Sequence, residues 1–161
     1  TPTPTLAATP TPTPTAAQAA FTMNGTFGMS WSGRYYTSGF INLTVDTLSG
    51  QVSGSIDGSG TYDGDETCPD GNTAPWTTFR QFSGNLVGTI DLNTGVLSFP
   101  QGQRMAGVVS TSGGCSDPMT MDLPAVLDLD GAVDLTNRTA RGRIVSTLDY
   151  DAGEGDWQAG E

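Results

Sequence analysis

Residues 16–31 read AAQAAFTMNGTFGMSW, and their alternation decides the fold class. From Ala17 every second residue is apolar or glycine: Ala17, Ala19, Phe21, Met23, Gly25, Phe27, Met29 and Trp31. The interleaved set, Gln18, Ala20, Thr22, Asn24, Thr26, Gly28 and Ser30, is mostly polar. Successive side chains of an extended chain point to opposite faces, so period two marks a half-buried β-strand. This one would span roughly 50 Å, where strands usually run ~17–20 Å. It either bends around its own domain or leaves it. Gly25 interrupts the apolar face, which suits a bulge, a bend or a handover between subunits. The stretch is therefore read as two half-strands joined near Asn24-Gly25, the first available to a neighbour.

Upstream, residues 1–15 form a Thr/Pro tract, TPTPTLAATPTPTPT. Proline fixes φ and drives the preceding residue out of the helical region, so the tract is an extended tail. Thr1, Thr3, Thr5, Thr9, Thr11, Thr13 and Thr15 are its O-glycosylation candidates, since Thr/Pro-rich tracts commonly form glycosylated stalks.

Downstream, Ile41, Leu43 and Val45 alternate with polar residues, DTLSG turns the chain, and Val52, Gly54 and Ile56 return it. The device recurs at DLNTG, from Leu86–Ile90 to Val96–Phe99, and at DLTNRTARG, from Val133 and Leu135 to Ile144, Val145 and Leu148. Asp bonds the backbone two residues on, and Gly or Asn tolerates positive φ, so each is a hairpin. Residues 32–39 read as a connection or edge, and 58–76 as a long polar loop. Phe79 and Phe82 mark another strand, with more at 104–110, 119–123 and 125–129. The expectation is an all-β, antiparallel, jelly-roll-like β-sandwich of about nine or ten strands, one domain over residues 32–161.

The chain has 161 residues, 22 of them glycine, and no long helical period. No run of 18 apolar residues exists, so no membrane-spanning helix is expected. The net charge of −11 opposes nucleic acid and anionic membrane by repulsion. All six cations are arginine (Arg34, Arg80, Arg104, Arg138, Arg141, Arg143). Without histidine or lysine, no side-chain nitrogen base is present to activate a serine, cysteine or threonine nucleophile. Most carboxylates sit in turn sequences, so no enzyme is expected.

Cys68 and Cys115 form an even pair in loop-like sequence, read as a disulfide of an oxidising compartment. With a start at Thr1, without initiator Met, this points to a secreted, processed protein. N-glycosylation sequons stand at Asn24, Asn42 and Asn137, on polar strand phases or in a turn. No cofactor is expected. Calcium, which takes oxygen ligands, is the one metal considered, at Asp63/Asp65/Glu66/Asp70, Asp149/Asp151/Glu154/Asp156 or Asp128/Asp130.

The alternating N-terminal extension (Ala17, Ala19, Phe21, Met23) before a β-domain resembles the donor-strand subunits of secreted fibres and pili. That resemblance implies a structural subunit of an extracellular filament or surface appendage. It would polymerise head to tail by strand addition to identical subunits, with covalent or bound glycans. The Thr-Pro tract departs from the pattern, since its prolines lack ladder N–H groups. The alternative is a carbohydrate-binding or adhesive module on a Thr-Pro stalk. Trp31, Tyr35, Tyr36, Tyr62, Trp76, Tyr150 and Trp157 are its candidate stacking faces, Tyr62 and Trp157 the least core-like of them.

Overall fold

β1 (Ala20–Trp31) finds both of its partners within its own chain. The computed structural model describes residues 19–31, 35–148 and 151–161; the 1–15 tract, Ala17, Arg34, Asp149 and Tyr150 lie outside them. On one side β1 pairs along its whole length with β2 (Tyr35–Asp46). On the other, Asn24–Trp31 pair with β10 (Asp151–Gly160). Phe21 and Met23, the expected donor residues, are buried in this chain's own core. Asn24–Trp31 have both edges occupied, while Ala20–Met23 pair with β2 alone among the described residues; Phe21 and Met23 nonetheless fill this chain's own barrel, where the half-strand expectation offered them to a neighbour.

The strands are all antiparallel, and ten of them form one sheet. After β2 come β3 (Gln51–Thr67) and β4 (Thr73–Ile90), paired from Gln51↔Thr89 to Thr67↔Thr73. β5 (Val96–Ser98) and β6 (Gln103–Gly113) share the next position, each between β4 and β8 (Ala125–Asp134). Between Ile90↔Leu97 and Ser83↔Ala106 their side takes two more residues than β4, a bulge at 99–102. β7 (Met119–Asp122) leads into β8 along the far edge of β6, and β9 (Thr139–Leu148) joins β8 to β10. Because β3 pairs with β4 and β10 with β1, the sheet closes on itself. The all-β antiparallel architecture and strand count are as expected. The two layers are opposite walls of one closed barrel, and its strands follow in up-and-down order where a jelly roll would cross over.

Inside lie Trp31, Trp157, Phe82, Met23, Met29 and the aliphatic residues of every stave. Outward positions are mainly Thr, Ser, Asn, Asp and Arg, the reverse of a lipid-facing barrel. The two large indoles are accommodated by missing side chains beside them. A methyl group at Gly153 would stand 2.5 Å from the Trp31 ring, and one at Gly142 would stand 2.7 Å from Trp157 Nε1. Trp157 donates from that nitrogen to the Asp130 carbonyl at 3.0 Å. It is a core residue, contrary to its reading as the least core-like aromatic.

The three expected hairpins are present at one pole, built alike. Asp46 Oδ1 accepts from the Leu48 and Ser49 N–H groups, and Gly50 N–H donates back to the Asp46 carbonyl. Asp91 does the same with Asn93, Thr94 and Gly95. Asp134 accepts from Thr136 and Asn137, but the closing residue is Arg138 at φ 51°, where the other turns have glycine at φ 70° and 76°. These bonds, first the backbone N–H groups of Leu48, Asn93 and Asn137 in turn, hold all three carboxyls below the ordinary 3.8.

At the opposite pole β3, β4 and β6 run on past the barrel as a flap. The expected loop at 58–76 is largely strand, with only 68–72 left as the turn. Its inward positions are Gly58, Gly60, Tyr62, Gly64 and Glu66, too small and polar to show an apolar phase. Below the flap, Arg80 is paired with Asp151 at 3.0 Å and stands 5.6 Å over the Trp31 ring. Trp31 Nε1 donates to Thr37 Oγ1 at 2.8 Å.

Candidate functional site

The outer wall formed by β2, β1, β10, β9 and β8 carries two aromatic side chains where the alternation calls for polar ones. Ile41, Leu43 and Val45 point inward on β2, so Tyr36 and Phe40 point out, 63% and 72% exposed. Tyr36 lies across β1 above Gly28; a methyl group there would stand 2.0 Å from its hydroxyl.

Register lays the neighbouring groups out in two rows. One row runs Phe40, Thr26, Gln158, Arg141, Ala132 from β2 to β8; the next runs Ser38, Gly28, Asp156, Arg143, Asp130. Above them is a shallow depression of about 750 Å³, with Thr26, Tyr36, Arg141, Arg143, Asp156 and Gln158 on its rim and floor. It continues past Arg141 into a second, of about 650 Å³, towards Asn24 and Thr139. Arg143 is neutralised: its guanidinium pairs with Glu154, and its N–H donates to Asp130 Oδ1 at 3.0 Å. The surface thus offers an aromatic plane, a hydroxyl, an amide, carboxylates and guanidinium groups on one wall of the barrel. Such a set is suited to stacking against and hydrogen-bonding small polar molecules.

The other candidate positions are dispersed. Cys68 and Cys115 are joined, with their Cα atoms 5.3 Å apart, and tie the β3–β4 turn to the β6–β7 turn at the flap tip. Tyr62 and Trp76 pack edge to face on the flap, ring centres 5.1 Å apart. Asn24 and Asn42 face each other across β1 and β2, Asn42 Nδ2 donating to Asn24 Oδ1 at 2.6 Å. Asn137 is exposed in its turn, its amide donating to Asp134 Oδ2 at 2.7 Å. Ala19, at the foot of β1, accepts from Thr47 N–H through its carbonyl.

The carboxylates considered for calcium do not converge. Asp63 accepts from Thr77, Glu66 from Cys115 N–H, Asp70 from Asn72, and Asp128 from Gly102 N–H. Asp151 faces Arg80, while Glu154 and Asp156 point out from β10. Among the described residues no three such side chains are grouped to hold a metal ion. Phe40 escaped the aromatic inventory, although its place on the polar phase of Ile41–Val45 was the available signal.

Fold and surface together define a class: a closed, antiparallel, disulfide-stapled β-barrel with a packed interior and a polar-aromatic outer face. No family model, curated protein or solved structure matches the chain.

Proposed function

We propose that this domain is a secreted, non-catalytic carbohydrate-binding module, carried on the glycosylated Thr-Pro stalk of residues 1–15. The observation that supports it is the pair Tyr36 and Phe40, left in water on the outer wall, Tyr36 lining the depression with Gln158, Arg141 and Asp156 and Phe40 ending the same row beyond Thr26. Keeping an aromatic side chain exposed forgoes roughly 2 kcal/mol of burial. Sugar rings present apolar C–H faces to such planes and hydroxyls to the polar groups around them. The disulfide accords with an oxidising compartment, and among the described residues no helix is long and apolar enough to cross a membrane.

A filament role would draw on residues 1–18 and on the edge of Ala20–Met23 that β10 does not pair. Titration calorimetry of the full chain against a panel of oligosaccharides tests the proposal. Binding is expected, and Tyr36→Ala or Phe40→Ala should weaken it at least tenfold, at about 1.4 kcal/mol, with an unchanged fold because both side chains point outward. Filaments of the full chain, with no sugar bound, would overturn it in favour of subunit assembly.

A further inference from the structure

We infer that the glycan taken by this face is acidic at low charge density, its carboxylate held by Arg141; this rests on the carbohydrate-binding proposal above. Three of the described arginines are matched to acids: Arg80 to Asp151, Arg138 to Glu161 and Arg143 to Glu154. Arg141, like Arg104 on β6, has no ion pair or side-chain hydrogen bond to any described residue, although the chain has an excess of carboxylates; of the two, Arg141 alone lines the depressions. The reason is its row. The in-register neighbours of Arg143 are Asp130 and Asp156, whereas those of Arg141 are Ala132 and Gln158.

Arg141 also stands where the two depressions meet, lining both with Thr26, Ala132 and Gln158. A guanidinium presents a planar fork of N–H donors that matches a carboxylate in two parallel bonds. Gln158 and Thr26, next in the same row, add donors towards Phe40, about 14 Å away across three strand spacings. That is the reach of a short oligosaccharide, stacked at the aromatic end and anchored at the cation. The net charge of −11, with Asp134 and Asp156 lining the depressions, repels a dense polyanion. An isolated uronic acid escapes most of that repulsion, since charges beyond ~8 Å are screened at physiological salt.

The test compares three probes on the intact chain: a neutral oligosaccharide, the same backbone bearing one uronic acid, and that uronic acid reduced to its alcohol. The acidic probe should bind about tenfold more tightly than either neutral one. Arg141→Gln should erase that preference, the acid and its alcohol then binding alike, while Tyr36→Ala weakens all three. Equal affinity for acid and alcohol, or a preference that survives Arg141→Gln, overturns the assignment while the stacking face stands. Tighter binding of a heavily sulfated chain overturns the low-charge-density claim. If no probe binds, the carbohydrate proposal fails first, and Arg141 with it.

Discussion

The two poles of the barrel are closed by different kinds of interaction. At one, three Asp-initiated turns bond to themselves within five residues, and Arg138 covers Phe21 while pairing with Glu161 at the surface. At the other, closure depends on residues far apart in the chain: Arg80 with Asp151, Trp31 with Thr37, and the flap held by Cys68–Cys115. The buried polar residues Thr37, Thr78 and Ser146 lie towards this second pole, while Phe21, Val45, Ile90, Leu97 and Val133 fill the first. Local turns give a pole held by contacts between residues close in the chain. Long-range pairs give one that depends on the whole barrel being in register.

The largest expected effect is at the long-range pole. Arg80→Ala removes the ion pair that Asp151 makes among the described residues, in a site where both side chains are under one-fifth exposed, and should cost about 3–5 kcal/mol in urea unfolding. Arg138→Ala, at a pair some 34–41% exposed, should cost about 1 kcal/mol or less. Equal costs would erase the distinction between the poles.

Next is the disulfide, closing a separation of 47 residues, whose reduction should cost about 2–4 kcal/mol. Amide exchange should then rise first in the flap, at 61–67, 73–78 and 108–113, and last at the three turns. Uniform loss of protection would show that the flap and barrel are one cooperative unit.

The smallest effect is in acid. The folded-state carboxyls of Asp46, Asp91 and Asp134 lie below their ordinary value, so the stability they supply is present above that value and lost as pH falls through the folded ones. Denaturation midpoints should therefore decline below about pH 4. The triple Asp→Asn variant, which keeps the turn bonds without the titration, should flatten the decline. An unchanged acid limb would assign it to other carboxylates.

The same contrast explains what could be read from the chain. The turns were legible because Asp46, Asp91 and Asp134 act on residues two and three positions away. β10 was not, because its inward face is Gly153, Gly155, Trp157 and Ala159, chosen to clear Trp31 and β1 and so lacking an apolar run. Its outward face, Glu154, Asp156 and Gln158, did alternate, but it resembled an acidic loop. Strand donation was read from the length of the 16–31 alternation and its break at Gly25; the β10 pairing that occupies Asn24–Trp31 carried no apolar signal. The flap was lost for the same reason, since Gly60, Tyr62 and Gly64 face no core. Of the candidate binding face, Tyr36 was visible as an aromatic among polar residues. Arg141 was not, since its isolation exists only once Ala132 and Gln158 are placed beside it.

Asn24 stands opposite Gly160, so the first and last staves of the barrel are neighbours and their outer ends emerge at the same pole. A short bridge between Ala19 and Glu161 would turn the backbone into a ring. Opened at any hairpin of the flap-bearing pole, that ring would still wind up and down through the same neighbours. The spatial order of these strands is a circle, and where translation begins along it is incidental to the shape it makes.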